Sequence, residues 1–205
     1  MSMEFTLGQP VNLEEDERVE FKEILGGNPV KSIINTSDEY VVAFLNAGGG
    51  SIHWGIRDCD RIVVGVQLTS NDKDSIRKGI AQKLHGIQPA IDPTAWMLEF
   101  VLLNADKEGD SLFAVSVIVQ NREKGVPYYT AGGDCFVRMN GVKQKLCGPA
   151  LTEYLRSRLT APVQAHVGAD SISDPKITGL AQRVRKVFLE HGLEYSHLPR
   201  FLALP

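Results

Sequence analysis

The fold is decided by the stretch Tyr40-Val-Val-Ala-Phe-Leu-Asn-Ala-Gly-Gly-Gly-Ser-Ile-His-Trp-Gly-Ile56, where a helical pattern gives way to a strand at three glycines. Ser37, followed by acidic residues, resembles a helix N-cap, and the apolar run after it predicts a helix that ends at Gly48. Residues 51–56 then predict a strand. A helix followed at once by a strand is typical of an α+β domain.

Patterns on either side of this stretch predict the other elements. They are a strand near 18–24 after an acidic segment, a loop at 26–29, a strand at 61–66 after the turn 57–60, an amphipathic helix from Ser70 or Asp72 to about Leu84, a hairpin of strands 96–103 and 112–119, short strands at 128–130 and 135–139, and a helix from Pro149 to about Leu159. We therefore expect an α+β domain over residues 1–159, with a mixed or antiparallel sheet and flanking helices. A linker at 160–173 and a helix from Pro175 predict a C-terminal helical extension over 160–205.

Composition limits the class of protein. The chain has 205 residues, of which 43% are hydrophobic, which suits one domain with an appendage. The longest apolar run, 112–119, is too short to span a bilayer, the polar amino terminus is no signal peptide, and three cysteines form no CxxC pair. We expect a cytoplasmic protein without a membrane partner. A net charge of −3 argues against indiscriminate nucleic-acid coating but allows a local basic groove.

Three carboxylates suggest a chemistry. Glu15 and Glu20 lie five residues apart, and Asp58 follows the glycine-rich turn and its strand. Carboxylates on short extended segments can converge on one divalent cation, which activates water and neutralises a phosphodiester. The pattern favours a metal-dependent nuclease over solvated strand ends. Rival ligands lie beside each position: Glu14, Asp16 and Glu17 near Glu15, and Asp60 near Asp58.

Other polar residues near these carboxylates have simpler interpretations. Lys22 lies two residues after Glu20, so a strand puts both side chains on one face, where Lys22 contacts a phosphate or neutralises Glu20. Trp54 is predicted to be core, and His53 is more often structural than an acid or base. The glycine triplet lacks a P-loop pattern, which favours a helix stop and a close backbone approach over ATP binding.

An ordered set of motifs resembles the Schlafen family, specifically its Alba-like domain in a single-lobe prokaryotic-type member. The motifs are Val19-Glu-Phe-Lys22, Ala43-Phe-Leu-Asn-Ala-Gly-Gly49, Gly55-Ile-Arg-Asp58, Ile62-Val-Val-Gly65, and later Phe136-Val-Arg-Met-Asn-Gly141 and Ala150-Leu-Thr-Glu-Tyr-Leu155. The resemblance covers about residues 13–158. It implies that Glu15, Glu20 and Asp58 hold Mg²⁺ or Mn²⁺ for endonucleolytic cleavage of structured RNA such as tRNA or rRNA.

The same resemblance suggests further roles and partners. Arg57 stands where an acidic or small residue is common, so it either aids phosphate binding or displaces a metal. We expect Lys22 to act with the three carboxylates in catalysis, and Lys22 and Arg57 to position the phosphate. The RNA path is expected along Arg77, Lys78, Arg138 and Lys143.

Vertebrate Schlafen proteins pair two lobes, which implies that this single lobe forms a homodimer, with the helix after Pro175 as a candidate dimer element, or a hetero-oligomer. The alternative function is a non-catalytic nucleic-acid-binding module or a DNA-binding transcriptional regulator.

Overall fold

The computed structural model describes residues 4–104, 111–120 and 126–159. The chain divides into two units, Met1–Ala161 and Pro162–Pro205, and the predicted linker and helix after Pro175 lie outside the described residues. The elements are β1 Val19–Lys22, α1 Pro29–Ala47, β2 Gly50–Trp54, β3 Val66–Leu68, α2 Ser70–His85, a 3₁₀ turn Pro93–Ala95, β4 Trp96–Asn104, β5 Ser111–Val119, β6 Cys135–Met139, β7 Val142–Leu146 and α3 Gly148–Leu159. The predicted α+β class is confirmed, and no described helix is long and apolar enough to cross a bilayer.

The main sheet is mixed and is organised around β5. Strand β1 runs parallel to β2, and β2 and β3 pair antiparallel with successive parts of β5 along one of its edges. Strand β4 pairs antiparallel with the other edge of β5, as the predicted hairpin requires. Strands β6 and β7 form a separate antiparallel pair.

Both faces of the main sheet are covered. Helices α1 and α2 pack on one face, where Trp54 joins their buried side chains. Residues of the N-terminal segment cover the other face, where Val11 packs with Phe21 and Phe5 lies beside it. Adjacent residues of β2 are therefore buried on opposite faces, which explains why His53 and Trp54 are 2% and 1% exposed.

Gly50 shows why the turn between α1 and β2 needs glycine. Its φ is +155°, and a Cβ there would lie 2.3 Å from Phe44 and 2.6 Å from the Arg18 carbonyl oxygen. The adjacent Ser51 N–H donates to that carbonyl at 2.7 Å. The missing side chain thus lets β1 approach β2, and the expected helix stop and close approach are both present.

The start of α1 corrects the sequence prediction. The helix begins at Pro29, eight residues before the expected Ser37 cap, and the Asn28 side chain caps it by accepting from the Lys31 N–H at 2.9 Å. Proline suits the first helical position because it has no N–H to leave unpaired. Ser37 is buried inside the helix, where its hydroxyl donates to the Ile34 carbonyl at 2.9 Å.

Other element predictions were right in kind and wrong in detail. The amphipathic helix α2 is confirmed with Ile76, Ile80 and Leu84 buried, although Thr69 is its cap. The strand expected at 61–66 is wrong, because Ile62 and Val63 make isolated bridges and β3 begins at Val66. Residues 128–130 contribute a single bridge at Tyr129, and β7 was not predicted.

Asn46 joins α1 to the smaller sheet. Its Nδ2 donates to the carbonyls of Tyr128 at 3.0 Å and Phe136 at 2.9 Å, and its Oδ1 accepts from the Tyr128 N–H at 2.9 Å. The side chain is 2% exposed, so these bonds satisfy backbone groups that water does not reach. They fix the position of β6 against α1.

Candidate active site

The site forms where β1 ends beside the turn that follows β2. The parallel register pairs Lys22 with Trp54, and the Gly55 N–H continues the pairing by donating to the Lys22 carbonyl at 2.9 Å. Gly55 has a φ of +93° and turns the chain towards Asp58. The Asp58 carboxylate accepts from the Glu23 N–H at 3.1 Å and is thereby fixed to the end of β1.

Lys22 lies at the centre of the cluster. Its Nζ is 2.8 Å from Glu20 Oε1 and 2.9 Å from Asp58 Oδ2, so one ammonium bridges two carboxylates. Desolvation acts to lower the pKa of Lys22, but the hydrogen bonds to Glu20 and Asp58 outweigh it and raise that pKa. The side-chain exposures of Glu20, Lys22 and Asp58 are 8%, 30% and 49%, so the cluster opens to solvent on the Asp58 side.

Glu20 is held from three directions. Besides Lys22, its Oε1 accepts from the Tyr40 hydroxyl at 2.7 Å, and its Oε2 is bonded to the Arg138 guanidinium. Arg138 also donates to the carbonyls of Asp16 at 2.6 Å and Val19 at 3.2 Å. The Arg138 side chain is fully buried, so it binds β1 to β6 and fixes the Glu20 carboxylate.

Glu15 supplies the third carboxylate. Its Oε1 accepts from the Phe21 N–H at 2.7 Å, which directs the side chain along β1. Partial burial raises the pKa of Glu15, the Phe21 bond opposes this rise, and repulsion from Glu20 and Asp58 adds to it. The charges of Glu20 and Asp58 therefore act on Glu15 as well.

The rival acidic residues have other partners. Asp16 accepts from the Arg18 and Val19 N–H groups at 2.7 and 2.8 Å and stabilises the turn before β1. Glu14 lies 3.5 Å from Arg61 in an exposed ion pair. Asp16 and Glu14 therefore have partners of their own, and Glu15 stays the preferred third carboxylate of the predicted site.

Comparison with protein families identifies the family to which this chain belongs. A family model described as Schlafen, AlbA_2 matches residues 15–147, which include every carboxylate of the cluster. The chain belongs to this Schlafen family. Membership suggests a nucleic-acid-related function. Among solved structures, the DIP2311 protein from Corynebacterium diphtheriae is similar at 21% sequence identity, with a TM-score of 0.44. The match covers 69% of this chain and 24% of that protein, so this chain spans about a quarter of its length.

Arg57 and Asp60 of the Schlafen domain form a pair of their own. The Arg57 guanidinium lies 2.7 Å from Asp60 and 3.8 Å from Glu23, and Asp60 also accepts from the Ile62 N–H at 3.1 Å. The Ile62 bond is the main cause that lowers the pKa of Asp60. Arg57 therefore neutralises Asp60, and Lys22 is the cation that contacts Asp58.

A divalent cation matches the donor chemistry of the Schlafen cluster but not its present arrangement. Three carboxylates supply the hard oxygen ligands that Mg²⁺ and Mn²⁺ prefer. In the part of the chain that the structure describes, however, no group of three or more His, Cys, Asp or Glu side chains is arranged to hold a metal ion. The Lys22 ammonium lies between Glu20 and Asp58, where a shared cation would lie.

The other basic residues expected along an RNA path are of two kinds. Arg77 and Lys78 are exposed, whereas Lys143 and Arg138 are paired with glutamates of the fold. Arg77 and Lys78 are exposed on α2, with Arg77 2.7 Å from Asp74 and over the Phe100 ring. Lys143 is paired with Glu39 and lies over the Tyr40 ring at 4.4 Å. Arg138 is inaccessible to RNA, which corrects the expectation that it lines the path, because its charge is used inside the fold.

Tyr40 is the residue of this Schlafen site that the sequence analysis missed. It begins the apolar run from which the helix was predicted, yet its hydroxyl donates to Glu20. Burial and this bond raise the pKa of Tyr40. The available signal was a tyrosine within an apolar helix face, since a buried hydroxyl needs a hydrogen-bond partner.

Proposed function

We propose that this Schlafen domain is an endoribonuclease that requires Mg²⁺ or Mn²⁺ and acts on structured RNA, such as tRNA or rRNA, in the cytoplasm. The observation that carries the proposal is the convergence of Glu20 and Asp58 on Lys22 at the solvent-facing end of β1, with Glu15 hydrogen-bonded to the Phe21 N–H of the same strand. The family supplies the nucleic-acid-related context. Carboxylates beside a partly exposed lysine are the side chains that phosphodiester hydrolysis uses.

The side chains would have distinct roles. Glu15, Glu20 and Asp58 would hold the cation, which would supply Lewis acidity for polarising water and neutralising phosphate charge. Glu20 is pre-oriented, because Tyr40 and Arg138 leave its carboxylate little freedom. Lys22 would donate to a non-bridging oxygen of the phosphodiester.

Basic residues outside the cluster would hold the RNA backbone. Arg57 is partly exposed on the turn that carries Asp58, and Arg77 and Lys78 are exposed on α2. Contacts of this kind release counterions from the RNA and do not depend on base sequence. The substrate would therefore be selected by its shape.

The test is an incubation of the full chain with total tRNA in Mn²⁺, in Mg²⁺ and in EDTA. We expect discrete fragments that require the metal. Asp58→Asn should reduce the cleavage rate by about 100-fold or more, because it removes a ligand charge. Asp58 is the preferred position because its side chain is 49% exposed, whereas a change at buried Glu20 leaves Arg138 without its partner.

Asp60→Asn is the matched control. Asp60 lies on the same turn and is 39% exposed, but it pairs with Arg57. The control should cleave at nearly the wild-type rate. Equal loss in both variants, or metal-dependent cleavage that survives Asp58→Asn, would contradict the proposed site.

One observation favours a second candidate, a non-catalytic module that binds RNA or DNA. Lys22 already neutralises Glu20 and Asp58 without a metal. Such a module would shift nucleic acid on a native gel with a strong salt dependence and would leave it intact under every metal condition. The same incubations therefore separate the two candidates.

A further inference from the structure

The cluster contains a cation of its own. Glu15, Glu20 and Asp58 contribute three negative charges, and Lys22 and Arg138 contribute two positive charges, which leaves a net charge of −1. Without the Lys22 charge the net becomes −2, which matches a divalent cation. Lys22 therefore has the same electrostatic role towards these carboxylates that a metal ion would have.

The Lys22 ammonium and a divalent cation cannot both lie between the Glu20 and Asp58 carboxylates. The Lys22 ammonium is within 3 Å of both Glu20 and Asp58, whereas metal–oxygen distances are about 2.1 Å for Mg²⁺. A metal ion between the same two carboxylates would therefore lie against the ammonium. Two positive charges at such separation repel strongly when part of the site is shielded from water.

We propose that Lys22 is a built-in competitor for the divalent cation, so that metal entry and Lys22 departure are one event. The inference rests on the proposed function, because it concerns the same carboxylates. Lys22 thereby lowers the apparent metal affinity of the free protein. The displaced ammonium becomes available to a phosphate at the open side of the cluster.

Of the two cations, only Lys22 is able to leave. Arg138 is fully buried and bonds to Glu20 and to the carbonyls of Asp16 and Val19. The Lys22 side chain is 30% exposed and ends in a flexible four-carbon stem. Among the residues that the structure describes, its ammonium pairs with the two carboxylates that a metal would bind.

The experiment is a titration of the full chain with MnCl₂ by calorimetry, with no RNA present. Lys22→Met keeps most of the stem and removes the charge, and we expect it to bind Mn²⁺ about tenfold more tightly than the wild type. Lys22→Arg retains a positive charge and should not gain affinity. Lys31→Met, which removes an exposed lysine from the first turn of α1, is the matched control and should bind as the wild type does.

The outcomes distinguish this inference from the proposed function. If Lys22→Met binds Mn²⁺ no more tightly than the wild type and Asp58→Asn loses Mn²⁺ binding, the competition by Lys22 is refuted and the metal site at the carboxylates is supported. Absence of Mn²⁺ binding in the wild type and in every variant would overturn both.

A second measurement uses the unsubstituted chain and does not depend on the folding of a variant. Lysine acetylation, followed by mass spectrometry, reports how accessible each ammonium is with and without Mn²⁺. We expect the Lys22 reactivity to rise at least about threefold in Mn²⁺, because an ion-paired ammonium is protected. Lys31 should not change. Unchanged Lys22 reactivity at a Mn²⁺ concentration that saturates the calorimetric titration would refute the displacement.

Discussion

At the residue scale, Glu20 is a buried carboxylate whose charge is balanced by two cations and a hydroxyl. The ion pair with Arg138 is the inaccessible part of this network, and the pair with Lys22 is the accessible part. A buried ion pair contributes little in excess of an apolar pair, but removing one partner leaves a desolvated charge. The stability of the fold therefore depends on the Arg138 partner of Glu20, and the proposed chemistry depends on its Lys22 partner.

Arg138→Met is expected to lower the free energy of unfolding by about 3 kcal/mol or more, because Glu20 loses its buried counter-charge. Urea denaturation measures the loss. Arg77→Met is the control, since Arg77 is exposed in an i,i+3 pair, and it should change stability by less than about 0.5 kcal/mol. Similar losses in the two variants would show that Arg138 has no special role.

His53 predicts a pH dependence of stability. Burial lowers its pKa from 6.5 to about 4, and its ring is hydrogen-bonded to Ser116 and Ser51 at 2.7 Å each. The unfolded state binds the proton more readily between these pKa values, so stability falls as the pH falls from about 6.5 to 4. Between pH 7 and 5.5 the loss from His53 should be about 1 kcal/mol.

Urea midpoints at pH 7 and 5.5 measure this loss. His53→Gln removes the titrating ring, so its midpoints should differ less between the two pH values than those of the wild type. A wild-type slope that persists in His53→Gln would assign the pH dependence to other groups.

The residues of the cluster were predictable to different degrees. The two-residue period of a strand correctly placed Lys22 beside Glu20, and the buried position of Trp54 is also confirmed. Arg138 was expected along the RNA path, and its bond to Glu20, which joins residues 118 positions apart, was not predicted. Sequence spacing carries no information on such a contact, which depends on how β6 packs.

At the element scale, the turn from α1 to β2 positions the site. Gly50 allows the Arg18 carbonyl to approach β2, which brings β1 into parallel register. That register places Lys22 beside the chain that leads to Asp58. A shift of one residue would turn Glu20 and Lys22 to the opposite face of the sheet.

Gly50→Ala is expected to lower the free energy of unfolding by at least about 2 kcal/mol, because the new Cβ meets Phe44 and a backbone carbonyl. Gly27→Ala is the matched control. Gly27 precedes α1, and a Cβ there would meet nothing within 4 Å. Thermal or urea unfolding of both variants tests the prediction, which equal stabilities would contradict.

Elements with a local pattern were predicted well, and those with competing signals were not. The repeat of Ile76, Ile80 and Leu84 specified α2. The Asn28-Pro29 pair was a valid helix start, but the two preceding glycines and the acidic residues after Ser37 suggested a loop and a later cap. Val63 of the 61–66 region packs in the cluster on the second face of the sheet, a role that does not require a strand.

At the scale of the whole molecule, a net charge of −3 limits the proposed nucleic-acid binding to a restricted surface. Several cations are committed to the protein itself. Lys143 pairs with Glu39, Lys83 with Asp38 and Arg138 with Glu20. The exposed residues Arg77 and Lys78 are the better candidates for phosphate contacts.

The double substitution Arg77→Gln with Lys78→Gln is expected to weaken RNA binding and to reduce the slope of log affinity against log salt by about 1 to 2. Filter binding at several salt concentrations measures this slope. Lys31→Gln, at an exposed site on α1, is the control. An unchanged slope in the double variant would remove α2 from the proposed RNA path.

A homodimer is the expected assembly of this single-lobe chain. Light scattering after size exclusion at micromolar concentration should give twice the chain mass of 22.6 kDa. Removal of residues 160–205 should give a monomer if the C-terminal extension is the dimer element. A full-length monomer would contradict the dimer, and binding to a different subunit would then be the next assembly to examine.

The bond between Glu20 and Arg138 also has a consequence for the order of synthesis. The ribosome makes Glu20 early, and its buried counter-charge follows 118 residues later. Until β6 has emerged from the exit tunnel, the nascent chain has Lys22 beside Glu20 but lacks the buried Arg138 guanidinium. A chain whose synthesis has not passed β6 thus lacks the contact that fixes the Glu20 carboxylate, and the proposed hydrolysis of RNA would begin only after Arg138 has been added and β6 has folded.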